Sequence, residues 1–205
     1  MTVVDYGMGN IHSLVSAIEY VGGEVLISGE PSKICQARLL VLPGVGSFPA
    51  AMSVIQSKGL DTAIYEAIDQ PDSSLLGICL GMQLLGRSST EAGGAAGLGV
   101  FDFEVRELEA AHRKSLPLPH IGFNSVLHNQ ESLLFRGMGE SADYYFVHEF
   151  QCVSRATSLN ESHSNYGENF VAAIDNGKVF GTQFHPEKSQ TNGLKVLRNF
   201  LRSSV

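Results

Sequence analysis

The sequence has no tryptophan, only three cysteines and no long apolar run. The cysteines (Cys35, Cys79 and Cys152) are odd in number and form no CxxC pair, which argues against a disulfide framework and a cysteine-rich zinc site. This usage is typical of a reducing, cytosolic compartment. No apolar segment approaches the roughly 18 residues of a membrane span. The first five residues also lack the basic stretch that begins a targeting peptide.

Basic residues are scarce as well. There are 14 lysines and arginines against 21 acidic residues, a formal charge of −7. Without a local basic patch, this balance excludes a general electrostatic attraction to nucleic acid or anionic membrane. The chain has 205 residues, 43% of them hydrophobic, which is enough to bury a sizeable core. No repeat or long linker divides it, so residues 1–205 are predicted to form one domain.

The first half of the chain alternates short apolar runs with longer amphipathic stretches. Residues 39–42 and 75–78 are predicted as buried strands, and residues 48–57, 60–68 and 80–85 as helices. Strands that are apolar throughout, with helices between them, are typical of βαβ units. This half is therefore predicted to form a parallel sheet with helices packed against it.

The second half changes character. Residues 100–108, 144–153 and 170–174 alternate apolar and polar side chains, and Asn124-Ser125 is interpreted as a turn between strands. Such strands indicate antiparallel pairing beside the parallel core. The predicted fold is α/β with a mixed, mostly parallel central sheet, closed by a helix at residues 193–202.

The stretch Gly77-Ile78-Cys79-Leu80-Gly81 has the form G-x-C-x-G between a predicted strand and a predicted helix. It is the thiol form of the nucleophile elbow, whose sharp turn leaves no room for side chains two positions away on either side. The thiol of Cys79 would project from the carboxyl edge of the sheet, beside helix N–H groups that favour a thiolate. Cys35 and Cys152 have no comparable context and are interpreted as small core residues.

A thiol nucleophile needs a partner that takes and returns a proton. His185 directly follows a predicted strand at residues 179–184, and Pro186 ends that strand. Glu187 lies two residues further on and can orient the imidazole and stabilise its charged form. His148 is a rival candidate for the base, but no carboxylate follows it in a proline turn.

Two glycine-rich loops follow predicted strands. Pro43-Gly44-Val45-Gly46 follows residues 39–42, and its glycines allow backbone amides to approach a substrate, as an oxyanion hole requires. Gly7-Met8-Gly9 resembles the start of a dinucleotide fingerprint, but His12 occupies the position of the third glycine. Nucleotide binding is therefore not predicted.

The three motifs around Cys79, Gly44 and His185 together resemble those of class I (triad) glutamine amidotransferases. Four further stretches are similar to the glutaminase subunits of imidazole glycerol phosphate synthases. They are Asp5-Tyr6-Gly7-Met8-Gly9-Asn10, Leu118-Pro119-His120-Ile121-Gly122-Phe123-Asn124, Tyr145-Phe146-Val147-His148 and Gly181-Thr182-Gln183-Phe184-His185-Pro186-Glu187-Lys188-Ser189. The resemblance runs from the first residue to the last helix, and the motifs are specific jointly rather than singly.

This resemblance implies a flavodoxin-like three-layer fold and hydrolysis of L-glutamine to glutamate and ammonia. It implies a (β/α)₈-barrel synthase subunit as heterodimeric partner, which uses the ammonia to make imidazole glycerol phosphate in histidine biosynthesis. It implies no metal and no bound cofactor. Neither nucleic acid nor membrane is expected as a partner, and the expected location is the cytoplasm.

The resemblance also assigns roles to individual positions. The implied catalytic residues are Cys79 as nucleophile, His185 as general base and acid, and Glu187 as its orienter. The implied oxyanion-hole amides are those of Gly46 and Leu80. The implied substrate-binding residues are Gly44, Gln83, Glu91, Glu149 and Phe150. The implied partner interface contains Asn10, Phe123, Tyr145 and Lys188.

Two positions depart from the family pattern. Phe123 stands where tryptophan is usual, and Glu149-Phe150 stands where Ser-Tyr or Thr-Tyr is usual. An acid at 149 would lie near the substrate carboxylate unless its side chain points away. Three alternatives therefore stay open: a paralogous glutaminase that feeds another synthase, as in surface-sugar amidine formation; a stand-alone thiol hydrolase; and a non-catalytic binding module.

Overall fold

The computed structural model describes residues 1–109, 116–154 and 159–203. Its strands are β1 (Thr2–Val4), β2 (Leu26–Ser28), β3 (Leu39–Gly44), β4 (Ser74–Cys79), β5 (Ser88–Ser89), β6 (Ala95–Ala96), β7 (Phe103–Glu107), β8 (His120–Leu127), β9 (Ser141–His148), β10 (Phe150–Ser154), β11 (Asn160–Asn165), β12 (Asn169–Asp175) and β13 (Val179–Thr182). Its α-helices are α1 (Ile11–Tyr20), α2 (Pro31–Ile34), α3 (Phe48–Ser57), α4 (Leu60–Asp69), α5 (Leu80–Leu84) and α6 (Gln190–Leu201).

Nine strands form the central sheet in the order β2-β1-β3-β4-β13-β12-β11-β8-β9. The first five are parallel to one another, and the remaining pairings are antiparallel. A smaller sheet, β10-β7-β5-β6, lies beside it. The predicted α/β fold with a mixed central sheet is confirmed.

Helices cover both faces of the parallel block because its strands are apolar on both sides. Leu40 and Leu42 of β3 pack with the buried residues of α3 and α4, whereas Val41 packs on the opposite face with those of α1 and α6. Alternate residues of a strand point to opposite faces, so one strand serves both cores. The resulting three layers fix the carboxyl ends of β3, β4 and β13 at one edge.

The second half corrects two sequence-based predictions. Residues 144–153, predicted as one strand, belong to β9 of the large sheet and β10 of the small sheet, separated at Glu149. The turn predicted at Asn124-Ser125 is wrong, because both residues lie inside β8 and pair with β9. Polar side chains on the exposed face of a sheet resemble a turn in sequence.

Candidate active site

Cys79 ends strand β4 and immediately precedes helix α5. Its φ of 54° and ψ of −110° are strained for a residue with a side chain, as in a nucleophile elbow. A Cβ at Gly77 would lie 2.7 Å from the Gly81 carbonyl oxygen, and a Cβ at Gly81 would overlap the Leu42 carbonyl oxygen. The two glycines are therefore required for the close contact that places Cys79 at the turn.

His185 and Glu187 lie beyond strand β13, which pairs in parallel with β4. His185 Nδ1 is 2.8 Å from Glu187 Oε1, and both side chains are only 3% exposed. The His185 Nε2 atom makes no hydrogen bond of standard geometry within the part of the chain that is described. Glu187 thus holds the imidazole through Nδ1 and leaves Nε2 available for proton transfer.

The charge state of His185 depends on both neighbours. Burial lowers the pKa of His185, but hydrogen bonding and electrostatic attraction from Cys79 and Glu187 outweigh that effect and raise the pKa to about 10. Cys79 and His185 line the same cleft. This arrangement favours the imidazolium form of His185.

The Cys79 sulfur is buried next to polar groups of strand β9 and of the segment that follows β13. Its Sγ is 3.9 Å from the Val147 carbonyl oxygen and 3.7 Å from Gln183 Nε2. Only 7% of Cys79 is exposed, and the exposed part opens into a cleft of about 430 Å³. The cleft is lined by Val45, Gly46, Cys79, Leu80, Gln83, Glu91, Pro119, Val147, His148, Glu149, Phe150, His185 and Lys188.

The loop after β3 forms one wall of this cleft. Gly46 has a φ of 100°, a conformation that favours glycine. The Val45 N–H donates to the Met8 carbonyl oxygen at 3.3 Å. Gly44 lies behind the wall, where a Cβ would overlap the Tyr6 hydroxyl. The predicted oxyanion residue Gly46 therefore lines the cleft with Leu80, whereas Gly44 supports the loop from inside.

The polar residues Gln83 and Glu91, predicted to bind substrate, also line the cleft. Gln83 is buried, and its Nε2 donates to the Phe150 carbonyl oxygen at 3.2 Å. Glu91 Oε2 accepts the Phe48 N–H at 2.9 Å, at the start of helix α3. Its other carboxylate oxygen makes no hydrogen bond within the described part of the chain and is available to a ligand in the cleft.

Glu149 is exposed at the mouth of the cleft, and its neighbour Phe150 is half-buried. The Glu149 carbonyl oxygen accepts the Leu108 N–H at 2.9 Å, so the main chain is fixed while the carboxylate stays in solvent. Solvation weakens the repulsion that this acid exerts on an anionic ligand.

The residues predicted to contact a partner lie near the same edge. Phe123 on β8 is 50% exposed, and its ring meets the Tyr145 ring on β9 edge-on, with centroids 5.6 Å apart. The Lys188 ammonium lies 5.6 Å from the centre of the Tyr145 ring, which joins these aromatic residues to the cleft wall. Asn10 is exposed just before helix α1, and its amide donates to Ser13 Oγ at 3.2 Å.

His148, the rival base, has both ring nitrogens engaged. Its Nδ1 is 2.8 Å from the Phe150 carbonyl oxygen, and its Nε2 is 2.9 Å from His120 Nδ1. Burial lowers the pKa of His148 to about 3, with a further contribution from the neighbouring His120 and His185. A neutral imidazole without a free nitrogen cannot take the proton of Cys79.

Two residues at the site, Gln183 and Tyr6, have no role assigned from the sequence. The amide of Gln183 contacts the sulfur, although the strand before His185 was interpreted only as a support. The Tyr6 hydroxyl is buried and makes no hydrogen bond within the described residues; burial, reinforced by Cys79, raises its pKa. Both residues lie in stretches that carry the family resemblance, but nothing within those stretches separates them from ordinary core residues.

Among residues 1–109, 116–154 and 159–203, no group of three histidine, cysteine or acidic side chains is arranged to hold a metal ion. No helix within those residues has the length and apolar character needed to cross a membrane.

The chain is similar to known proteins over almost its whole length. The family model described as "Glutamine amidotransferase class-I" matches residues 2–204. Imidazole glycerol phosphate synthase subunit HisH of Moorella thermoacetica is 42% identical over 200 residues, covering 98% of this chain and 93% of the relative. Subunit HisH 1 of Parasynechococcus marenigrum is 38% identical over 205 residues, covering 100% and 98%. The structure of PurLQS from Thermotoga maritima superposes with a TM-score of 0.74 at 20% identity, over 98% of this chain and 96% of that one.

Proposed function

Because this chain belongs to the class I glutamine amidotransferases, we propose that it is the glutaminase subunit of an imidazole glycerol phosphate synthase. It hydrolyses L-glutamine to glutamate and ammonia, and the ammonia serves histidine biosynthesis. The observation that carries this proposal is the strained Cys79 at the cleft floor beside the 2.8 Å His185–Glu187 pair. The relatives named as HisH subunits support this choice of pathway.

In the first half-reaction, the Cys79 thiolate attacks the side-chain amide carbon of glutamine. A carbon–sulfur bond forms, and the carbonyl oxygen takes the negative charge, which the backbone amides of Gly46 and Leu80 stabilise. His185 gives its Nε2 proton to the nitrogen as the carbon–nitrogen bond breaks. Ammonia leaves, and a γ-glutamyl thioester remains on Cys79.

In the second half-reaction, His185 removes a proton from a water molecule that attacks the thioester. The carbon–sulfur bond breaks, glutamate leaves, and the thiolate–imidazolium pair is restored. Glu187 holds the imidazole through Nδ1 throughout, so Nε2 always faces the reacting atoms.

The cleft offers one group for each polar part of the substrate. The free oxygen of Glu91 binds the substrate ammonium, and charge-assisted hydrogen bonds of this type are strong. Gln83 offers its carbonyl oxygen, because its Nε2 is already bound to Phe150. Gly44 keeps the loop in place, and Glu149 and Phe150 border the end that receives the substrate carboxylate.

The partner is a (β/α)₈-barrel synthase subunit, and the complex is a heterodimer in the cytoplasm. Phe123, Tyr145, Lys188 and Asn10 contribute the contact surface. Support comes from the 50% exposure of Phe123 and from its ring contact with Tyr145, since monomeric surfaces rarely expose grouped aromatic residues. Ammonia passes through this interface, which protects it from protonation in bulk solvent.

A paralogous glutaminase that serves another synthase is the second candidate, and Phe123 and Glu149 are the residues that favour it. The test measures glutamine turnover by the chain alone and with a histidine-pathway barrel subunit and its ligand. We expect little activity alone, strong stimulation by the partner, and formation of imidazole glycerol phosphate. High glutamine turnover that is the same with and without the barrel subunit would contradict coupling to a partner. Stimulation by the barrel subunit without formation of imidazole glycerol phosphate would favour the paralogous glutaminase.

A further inference from the structure

An unbroken series of hydrogen bonds runs from strand β8 to the Cys79 sulfur. It begins at Asn124, whose amide lies 3.3 Å from His120 Nε2, and continues through the 2.9 Å contact between His120 and His148. From His148 it passes to the Phe150 carbonyl oxygen, and from there to the amide of Gln83. The last members are Gln183 Oε1, 3.0 Å from Gln83 Nε2, and Gln183 Nε2, 3.7 Å from Cys79 Sγ.

One group fixes the direction of every bond in this series. The Phe150 carbonyl oxygen can only accept, so both Gln83 and His148 must present a donor to it. Gln83 Nε2 therefore faces Phe150, and the atom of Gln183 that it also meets must be an acceptor. The remaining terminal atom of Gln183 is its NH₂ group, and this group points at the sulfur.

The same reasoning extends in the other direction. His148 is neutral, because burial lowers its pKa to about 3, and its proton is on Nδ1. Its Nε2 must then accept from His120 Nδ1, which leaves His120 Nε2 to accept from Asn124. His120 is neutral as well, since burial lowers its pKa to about 4. Each imidazole has a single tautomer that satisfies all of its partners.

We propose that Gln183 is a further catalytic residue of this site: its amide N–H stabilises the Cys79 thiolate, and the buried series that runs from Asn124 through His120, His148 and Gln83 positions that amide. Gln183 itself is fully buried, so the donor cannot turn to water. Both imidazoles are positioning residues, because they act on the sulfur only through Phe150 and the two glutamines. This inference rests on the proposed role of Cys79 as the nucleophile.

Other titratable groups near the sulfur also influence its ionisation. The imidazolium of His185, which is hydrogen-bonded to Glu187, attracts the thiolate. Tyr6 and Cys152 interact with it as well, but burial raises the pKa of both groups, so they stay neutral. Below pH 9, His185 therefore carries the charge next to the sulfur. Replacing Gln183 with an uncharged residue removes a neutral hydrogen-bond donor and leaves that charge in place.

The test is the rate of Cys79 alkylation by iodoacetamide between pH 5 and 10 in the full chain, followed by peptide mass spectrometry. Gln183→Met keeps the volume and removes the donor. We expect the midpoint of its pH profile to rise by about one unit, a tenfold loss of thiolate at lower pH, as for a hydrogen bond to a charged group. The kcat for glutamine should fall about tenfold, with KM little changed. A profile that superposes on the wild type would overturn the proposal.

Further variants complete the design. Gln151→Met alters another buried glutamine that lies outside the series, and its profile should match the wild type. Gln183→Leu serves if the methionine variant does not fold; it also lacks the N–H donor and adds no charge, and its midpoint should rise too. His148→Phe should raise the midpoint by a smaller amount, and no change there, with a shift in Gln183→Met, would overturn the positioning role of the series.

Failure of the underlying function would look different. Glutaminase activity that survives Cys79→Ser would remove the nucleophile assignment itself. Loss of activity in Cys79→Ser, combined with an unchanged profile in Gln183→Met, would overturn only the role of Gln183.

Discussion

The carbonyl oxygen of Tyr145 accepts a hydrogen bond from the N–H of His185 at 2.9 Å. The Tyr145 N–H donates to Ser189 Oγ at 2.9 Å, and that hydroxyl donates to the His185 carbonyl oxygen at 2.6 Å. Strand β9, which carries the half-buried Tyr145, and the loop that carries the proposed base are therefore one hydrogen-bonded unit. A displacement of β9 at the surface would move the imidazole.

Ser189→Ala tests this unit. The substitution leaves the buried Tyr145 N–H without its partner, and we expect a loss of about 1–2 kcal/mol in the free energy of unfolding. Glutaminase kcat should fall about tenfold, because His185 loses part of its support. Urea denaturation and steady-state kinetics provide the two measurements. Ser57→Ala, which removes a hydroxyl bonded to Val54 in an exposed helix end, is the control. Normal kcat in Ser189→Ala would contradict the coupling.

The stability of the protein should depend on pH through His185. Its pKa in the folded chain is raised from 6.5 to about 10. The stabilisation from its charged form is thus fully present below pH 6.5 and is lost as pH rises towards 10. Glu187→Gln should lower the unfolding free energy by about 2 kcal/mol at pH 6 and by progressively less towards pH 10. Urea denaturation at both pH values measures this difference, and an equal loss at both would contradict the proposed charge pairing.

Gly81→Ala should disrupt the elbow. The new methyl group would overlap the Leu42 carbonyl oxygen, and the backbone there cannot yield without moving β3. We expect a loss of about 3 kcal/mol or more, at the upper end of overpacking effects, together with loss of glutaminase activity. Gly139→Ala is the matched control, since its methyl group would meet nothing closer than 4.0 Å. Thermal unfolding of both variants provides the measurement. Equal stability of the two would refute the steric argument.

Phe123→Asp should weaken association with the barrel subunit. It places a charge in an aromatic contact surface, and we expect a loss of at least tenfold in affinity and in partner-stimulated turnover. Leu26→Asp is the control: Leu26 is 47% exposed, close to the 50% of Phe123, but lies near the opposite edge of the sheet. Isothermal titration with the barrel subunit distinguishes the two. Similar losses in both variants would argue against a defined interface at Phe123.

The parallel half of the fold could be predicted because its signals are local. Strands at residues 39–42 and 75–78 are apolar on both faces. The glycines around Cys79 are required because side chains at those positions would overlap the neighbouring backbone. The antiparallel half gave weaker signals. A strand with one exposed face can carry polar residues in its middle, as β8 does at Asn124-Ser125, and then resembles a turn.

The site was predictable where chemistry and backbone geometry coincide. Cys79 follows a glycine turn, and His185 and Glu187 flank a proline, so each is marked by its neighbours. Gln183 and His120 lie in stretches that carry the family resemblance, but no glycine turn or proline beside them indicates a chemical role. Their importance arises from partners 104 and 28 positions away in the chain, and only the folded sheet brings these together.

The role of Cys79 can be measured most directly with an electrophilic glutamine analogue such as 6-diazo-5-oxo-norleucine, followed by peptide mass mapping. Assayed with the barrel subunit and its ligand, the wild-type chain should carry one adduct, located on Cys79, and excess glutamine should suppress it. The Cys79→Ser variant should carry none and should have lost glutaminase activity by at least about 10³-fold. An adduct on Cys35 or Cys152 instead, with activity that persists in Cys79→Ser, would contradict the account.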